Sequence, residues 1–257
     1  MVVVILAGGL GTRLSEETAV RPKPMVEVGG RPLLWHIMKL YAHHGHTSFV
    51  LCLGYRAEVV KRHFLERYHL TRDLTLTLTD GRVRIHSGGE GEDWTVTLLD
   101  TGAETQTGGR LLRARPFTGG GTFLLTYGDG VSDVDIATLV AFHRTHGRLA
   151  TLTAVRPPSR YGELELDGDR VSCFTEKPAA AGGWINGGFF VLEPEVFDYL
   201  SGDDTVFETG PLARLALDGQ LMAYRHHGFW QCMDTLRDVN TLNQLWASGR
   251  PPWKVWD

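Results

Sequence analysis

Hydrophobic runs near the start of the chain predict a buried parallel sheet. Residues 2–6 and 49–53 are apolar throughout, as is typical of strands that are covered on both faces. Apolar positions recur at helical spacing in residues 32–44 and again in 56–68. These segments predict the order strand, glycine-rich loop, helix, strand, helix. This order is typical of the first part of an open and mostly parallel sheet.

Two stretches with a period of two residues predict β-hairpins inserted into this sheet. Leucine and threonine alternate in residues 74–79 before the turn Asp80–Gly81, and two short strands flank residues 167–169. The same patterns predict further strands at 94–99, 122–126, 149–155, 185–192 and 221–224. They predict further helices near 111, at 136–146, from 194, at 211–218 and at 234–246, so that one α/β domain results.

Composition and charge narrow the class of protein. The 257 residues are 42% hydrophobic and 22% charged, which is ordinary for a globular domain and excludes a disordered or coiled-coil protein. The net charge is −4, so no basic excess points to a nucleic acid or a membrane surface as partner. Three distant cysteines and the lack of a basic, cleavable leader favour a reduced, cytoplasmic protein.

A glycine-rich loop, LAGGLGTRL at residues 6–14, follows the first strand. Such a loop lets backbone N–H groups approach phosphates closely. It is neither a dinucleotide fingerprint, because Leu14 stands where glycine is needed, nor a P-loop, because Gly-Lys-Ser/Thr is missing. Arg13 in the loop and Lys23, held between two prolines, suit a polyphosphate. The alternative is a solvated turn with two surface cations.

Asp129 follows a predicted buried strand, where ligand sites of open α/β sheets gather, and Asp234 precedes the last predicted helix. By position alone, Asp129 could be a turn residue and Asp234 a helix N-cap.

These motifs together resemble the signature of the sugar-1-phosphate nucleotidylyltransferases. The family pattern is GGxGTRL followed by PKPM, present here at residues 8–14 and 22–25, with EKP at 176–178, YGD at 127–129 and MDT at 233–235. The resemblance implies a Rossmann-like, nucleotide-diphospho-sugar transferase type of fold. TGGRL at 107–111, WINGGFF at 184–190 and the tail PWKVW at 252–256 narrow it to the branch that uses CTP and glucose 1-phosphate.

The resemblance also implies a reaction and its residues. Glucose 1-phosphate would attack the α-phosphorus of CTP with help from Mg²⁺, giving CDP-glucose and pyrophosphate, an opening step toward CDP-linked deoxysugars and O-antigen. Arg13 would bind the β- and γ-phosphates and Lys23 the α-phosphate as the catalytic pair, with Asp129 and Asp234 holding the metal. Glucose 1-phosphate is already largely dianionic near neutral pH, because its second pKa is ~6, so no general base is required.

The expected binding residues fall into two sets. For the nucleotide they are Leu6, Ala7, Gly8, Gly9, Leu10, Gly11, Thr12, Arg13, Lys23, Glu104, Thr107, Gly109, Arg110 and Gly128. For the sugar phosphate they are Tyr161, Gly162, Glu176, Lys177, Asn186 and Gly187. The nucleotide part would span about 1–130, the sugar part about 131–235, and a helix and tail 236–257 of a single domain. Arg110 could supply donors to the cytosine edge.

Some features leave alternatives open. A relative that uses UTP or dTTP, or a non-catalytic sensor of nucleotide sugars, could share this fold. The chain departs from the family at Cys232, where proline is usual, near Gly210, where glutamate is usual, and in the glycine-rich stretch 86–93.

Tryptophans 246, 253 and 256 predict a subunit contact and hence a homo-oligomer, with a hexamer as one candidate, because exposed tryptophans are costly on a monomer.

Overall fold

A computed structural model gives the fold for most of the chain. The described residues are 1–11, 14, 18, 20–86, 91–157, 163–167, 170–175 and 183–257, with 163–167 and 172–175 described by their backbone. Among these residues, no helix is long and apolar enough to cross a membrane.

The strands and helices follow the predicted order closely. The strands are β1 Val2–Leu6, β2 Glu27–Val28, β3 Arg31–Pro32, β4 Ser48–Leu53, β5 Leu74–Thr77, β6 Arg82–Ile85, β7 Thr95–Asp100, β8 Phe123–Tyr127, β9 Gly130–Ser132, β10 Ala150–Val155, β11 Glu163–Asp167, β12 Arg170–Thr175, β13 Ile185–Leu192, β14 Leu221–Arg225 and β15 Trp230–Cys232. The α-helices are α1 Leu33–His43, α2 Ala57–Leu70, α3 Thr107–Ala114, α4 Ile136–His146, α5 Pro211–Leu217 and α6 Leu236–Ala247. Short 3-10 helices cover Lys23–Met25, Arg115–Phe117 and Pro194–Tyr199.

One seven-stranded sheet forms the centre, in the order β14-β10-β13-β8-β1-β4-β7. β1 runs parallel to β4 and β8, and β4 runs parallel to β7. β13 is antiparallel to both of its neighbours, β8 and β10. The prediction of a mixed, mostly parallel sheet is therefore confirmed. Because β1, β4, β7 and β8 point the same way, the loops that follow them meet at one edge.

Both faces of the sheet are covered by apolar layers. Alternate residues of β1 enter two different cores: Val3 and Ile5 pack with α1, while Val4 and Leu6 pack with Leu111 of α3. This two-sided burial explains why β1 lacks polar positions altogether. The exposed hairpin β5–β6 instead alternates leucine and threonine along its first strand, as predicted.

The tail tryptophans are not exposed, so the premise of the predicted subunit contact was wrong. Trp253 and Trp256 are 1% and 7% exposed because the tail folds back onto α1. There Trp253 Nε1 donates a hydrogen bond to His36 Nδ1 at 3.3 Å, and Trp246 stacks on Trp253. The tail completes a core of its own chain, and a homo-oligomer remains a prediction without this support.

Two expected helix starts also differ in the structure. The last helix begins at Leu236 with Thr235 as its N-cap, in a capping box with Asp238. Asp234 is therefore not the N-cap, which leaves its carboxylate available for another role. Pro194 opens a 3-10 helix instead of an α-helix. The pairs β2–β3 and β9–β15 were not predicted, because strands of two or three residues carry no periodic signal.

Candidate active site

The glycine-rich loop is fixed at the sheet edge by hydrogen bonds to the neighbouring strands. Ala7 N donates to Cys52 O at 3.0 Å, and Gly128 N donates to Leu6 O at 3.0 Å. Gly128 also has to lack a side chain, since a Cβ there would lie 2.8 Å from Pro24 Cγ. The loop after β1 thus meets the loop after β8 at the carboxyl ends of the parallel strands, as expected for a ligand site.

Arg110 of α3 holds this loop in place through hydrogen bonds to backbone oxygens. Its guanidinium donates to Gly8 O at 3.0 Å and also to Leu53 O, Thr101 Oγ1, Gly102 O and Ala103 O, at 2.7–3.1 Å. A Cβ at Gly8 or Gly54 would overlap the guanidinium, which explains both glycines. Arg110 is 4% exposed. The structure therefore gives Arg110 a positioning role for the loop, which the sequence had not indicated.

A cavity of about 300 Å³ opens above the loop. It brings together many of the predicted nucleotide residues, namely Leu6, Ala7, Gly8, Gly9, Gly11, Lys23, Thr107, Arg110 and Gly128. Among the described residues, Leu10, Glu104 and Gly109 do not line it. Gly109 instead packs so closely on Asp203 that a Cβ at position 109 would lie 2.6 Å from the Asp203 Cα, and Leu10 is about half exposed.

Lys23 joins the two predicted metal ligands. Its Nζ donates to Asp129 Oδ2 at 2.8 Å and to Asp234 Oδ1 at 2.6 Å. Burial opposes the charge on Lys23, but the nearby carboxylates outweigh it and raise the pKa of the ammonium. The sequence predicted all three residues as site residues, and the structure places them in direct contact.

Cys232 completes this group. The ligand atoms of Asp129, Cys232 and Asp234 all lie within 4.8 Å of one another. Strand β15 sets this position, because Cys232 pairs with Gly130 and the next residue, Met233, donates its N–H to Asp129 O at 2.8 Å. Burial, reinforced by Asp129, raises the pKa of the thiol. The two carboxylates and one thiol form a donor set that can hold a divalent cation.

A second, larger cavity of about 1010 Å³ continues from the first. The two share Tyr127 and Asp129 in their linings, so the aspartate stands at their junction. The predicted sugar residues Asn186 and Gly187 line the larger cavity. Gly187 O accepts a hydrogen bond from Trp230 Nε1 at 2.8 Å, which fixes this part of the wall.

Glu208 is a site residue that the sequence analysis missed. Its carboxylate accepts from Tyr127 OH at 2.6 Å and from Thr107 Oγ1 at 2.7 Å, and so links the walls of the two cavities. Burial and the Glu208 charge together raise the pKa of Tyr127, which keeps its hydroxyl a donor. The usual family glutamate near Gly210 was the one available signal, and Glu208 lies two positions before it.

Six predicted residues lie outside the part of the chain that the structure describes. They are Thr12, Arg13, Tyr161, Gly162, Glu176 and Lys177. Their roles stay predictions.

Residues 2–246 match the model of the family described as nucleotidyl transferase. The chain belongs to this family. A Salmonella typhi protein named glucose-1-phosphate cytidylyltransferase is 51% identical over the full length of both chains. A Bacillus subtilis protein, named probable glucose-1-phosphate cytidylyltransferase, is 46% identical, also over both full lengths. The resemblance that the sequence motifs indicated is thus confirmed, and the protein is a nucleotidyltransferase.

Solved structures agree on the fold. HddC from Yersinia pseudotuberculosis has a TM-score of 0.70 over 95% of this chain and 99% of its own, at 23% identity. A UDP-glucose pyrophosphorylase complexed with UDP-glucose has a TM-score of 0.67 over 97% of this chain and 99% of its own, at 14% identity. At these identities the likeness shows the fold, and the predicted nucleotidyltransferase architecture is confirmed.

Proposed function

We propose that the protein transfers a cytidylyl group from CTP to glucose 1-phosphate and releases pyrophosphate. Two relatives at 51% and 46% identity over their full lengths carry names for this activity. The observation that carries the proposal in the structure is the contact of Lys23 with Asp129 and Asp234 where the two cavities join.

The chemistry asks for alignment and charge neutralisation. The sugar phosphate oxygen attacks the α-phosphorus of CTP, the new P–O bond forms, and the bond to the β-phosphate oxygen breaks. Because the nucleophile is already anionic at neutral pH, the protein has only to hold the two substrates in line and offset their negative charge. Lys23, whose carboxylate neighbours keep it protonated, can donate to an α-phosphate oxygen at the cavity junction.

The donor set at the junction fits a divalent cation. Asp129 and Asp234 offer carboxylate oxygens on one side of an open cavity, which leaves room for phosphate oxygens and water. Mg²⁺ is the proposed ion, and when bound it would neutralise charge on the phosphates. The same carboxylates form ion pairs with the Lys23 ammonium.

The smaller cavity is the proposed nucleotide site. Its floor is the backbone of the glycine-rich loop, held rigid by Arg110. Since the Arg110 guanidinium already donates to five oxygens, we assign reading of the cytosine edge to backbone groups of the loop and of residues 105–107. A carbonyl opposite the cytosine N4 amino group and donors opposite N3 and O2 would select CTP.

The larger cavity is the proposed sugar phosphate site. Asn186, Gly187, Tyr127 and Glu208 supply hydrogen-bonding groups along its described wall. The backbone of Gly188 is held by Asn186 Oδ1 at 2.9 Å and adopts a φ of 81°, so glycine is required there. Glu176 and Lys177 are proposed to bind the sugar hydroxyls and its phosphate. This division leaves residues 1–130 mostly to the nucleotide and 131–235 mostly to the sugar.

A substrate matrix tests the proposal. Pyrophosphate release would be measured with each of CTP, UTP, dTTP, ATP and GTP against glucose 1-phosphate, mannose 1-phosphate and galactose 1-phosphate. We expect the highest kcat/KM for CTP with glucose 1-phosphate and CDP-glucose as the product. If no pair of substrates gives pyrophosphate, the proposed nucleotidyl transfer is rejected. If a different pair is preferred, the assignment of CTP and glucose 1-phosphate is rejected. Lys177→Ala should raise the KM for glucose 1-phosphate, whereas Lys254→Ala in the tail serves as the control.

A further inference from the structure

Cys232 places a sulfur atom beside both carboxylates of the cation site. The Sγ atom and one oxygen each from Asp129 and Asp234 lie within 4.8 Å of one another. The backbone fixes this arrangement, because β15 pairs with β9 in the register Cys232 to Gly130, one residue after Asp129.

A cation already occupies the space between the carboxylates. The Lys23 ammonium is 2.8 Å from Asp129 Oδ2 and 2.6 Å from Asp234 Oδ1, with both Lys23 and Asp234 buried. It acts as a stand-in that shows where this group of side chains binds positive charge. A divalent ion in the place of the ammonium would bring a second positive charge to these carboxylates.

We propose that Asp129, Cys232 and Asp234 form a binding site for a thiophilic divalent cation such as Zn²⁺, Co²⁺ or Cd²⁺. Ligand atoms ~2.0–2.3 Å from one ion lie no more than ~4.6 Å apart, so the three side chains reach a common ion with small rotations. On binding, the thiol proton passes to solvent, sulfur bonds to the metal, and the Lys23 ammonium leaves the carboxylates.

Sulfur discriminates between metals. Thiolate favours Zn²⁺, Co²⁺ and Cd²⁺, whereas Mg²⁺ takes oxygen ligands and gains nothing from Cys232. A thiophilic ion would therefore compete with Mg²⁺ for the same carboxylates and would also displace Lys23. The inference concerns the protein without substrates, so it can fail or hold independently of the proposed reaction.

Cobalt binding tests the site directly. The substrate-free protein is titrated with Co²⁺ while the near-ultraviolet thiolate-to-cobalt absorption is followed, and Mg²⁺ affinity is measured by calorimetry. Cys232→Ser is compared with Cys52→Ala, which removes a buried thiol from the core beside Arg110. We expect the band in the wild type and in Cys52→Ala. We expect no band and ~10-fold or more weaker Co²⁺ binding in Cys232→Ser, with Mg²⁺ affinity changed by less than about twofold.

Several results would overturn the inference. A wild type without the band, or a Cys232→Ser protein that keeps it, would exclude sulfur as a ligand. Equal losses of Co²⁺ and Mg²⁺ affinity in Cys232→Ser would show a general disturbance of the carboxylates. If circular dichroism shows that Cys232→Ser does not fold, Asp234→Asn takes its place. Its Co²⁺ affinity, taken from the titration of the band, should be ~10-fold or more lower than that of the wild type. An unchanged titration would reject the shared site.

Discussion

Lys23 Nζ donates a hydrogen bond of 2.6 Å to Asp234 Oδ1, although 211 positions separate the two residues in the sequence. The contact closes the site, because Lys23 comes from the segment after the glycine-rich loop and Asp234 from the segment before the last helix. Burial disfavours the charged form of Lys23, but the neighbouring Asp129 and Asp234 carboxylates raise its pKa. The ammonium therefore stays charged at neutral pH, as its proposed role in phosphate binding requires.

Replacing Lys23 with methionine should mainly damage turnover. The methionine fills similar space but supplies no charge at the α-phosphate, so kcat/KM should fall ~10²-fold or more. Without substrates, the facing carboxylates would lose their shared cation, and the melting temperature should drop and be restored in part by added Mg²⁺. Lys61→Met, at a half-exposed ion pair with Asp100, is the control and should stay within about twofold of wild type. If Lys23→Met and Lys61→Met change kcat/KM and the melting temperature equally, Lys23 has no special role in the site.

Asp129→Asn and Asp234→Asn should each lower kcat/KM by ~10²-fold or more, or about 2.7 kcal/mol in transition-state stabilisation. Each change keeps the shape of the side chain but removes a negative charge from the cation site. Steady-state rates at saturating Mg²⁺ check this. Asp133→Asn, on the turn beside β9 and hydrogen-bonded to His226, is a matched control. A wild-type rate in either site variant would exclude that aspartate as a metal ligand.

Arg110→Lys should weaken both the fold and nucleotide binding. A lysine can donate to three acceptors at most, whereas the guanidinium serves five, so at least two of these oxygens would lose a donor. Gly8 O and Leu53 O would keep the backbone N–H groups of Tyr55 and Thr101 as donors. The expected loss is ~1–3 kcal/mol in the free energy of unfolding, with a larger rise in KM for CTP than for glucose 1-phosphate. Arg113→Lys changes the same helix at an exposed pair with Asp203 and should have little effect. A KM for CTP that stays constant would show that the clamp does not shape the nucleotide site.

His36 should make the fold sensitive to acid. Burial lowers its pKa to about 4, and its ring is held between Val28 O and the Trp253 indole N–H. The folded-state pKa lies below the unfolded value of about 6.5, so the unfolded chain binds more protons and stability falls as pH drops from 6.5 toward 4. The loss should reach ~2 kcal/mol by pH 5.

Urea unfolding between pH 7 and pH 5 measures this effect. His36→Gln can keep both hydrogen bonds without titrating, so its stability should fall less over the same range. His44 and His46, whose pKa values burial also lowers, contribute alike to both proteins. Parallel pH curves for the two proteins would show that His36 is not the acid-sensitive group.

The sequence predicted the parts of the fold that rest on local pattern. The central strand β1 and its neighbour β4 are buried on both faces, so their continuous apolar runs identified them. Lys23 and Asp129 were singled out because proline spacing and strand-end position are local features too, whereas Asp234 was identified by the resemblance to the family. The weakest predictions concerned groups whose role depends on distant partners.

Three features were not predicted: the positioning role of Arg110, the place of Glu208 in the site, and the burial of the tail tryptophans. The Arg110 clamp collects carbonyls from three separate segments, and Glu208 meets residues more than eighty positions away in sequence. No periodicity within one segment records such contacts. The tail tryptophans were expected on the surface for the same reason: their partners, His36 and Trp35, lie on α1 at the other end of the chain.

The ratio of CTP to UTP as substrate tests the account most directly. Uracil replaces the N4 donor of cytosine by an acceptor and the N3 acceptor by a donor, so a pocket made for cytosine would leave two groups unpaired. At ~1–3 kcal/mol for each, kcat/KM should favour CTP by roughly 10²-fold or more. Paired initial rates of CDP-glucose and UDP-glucose formation, with glucose 1-phosphate and Mg²⁺ saturating, give this ratio. The account predicts that preference for CTP, and a ratio within about threefold would contradict the assignment of cytidylyl transfer.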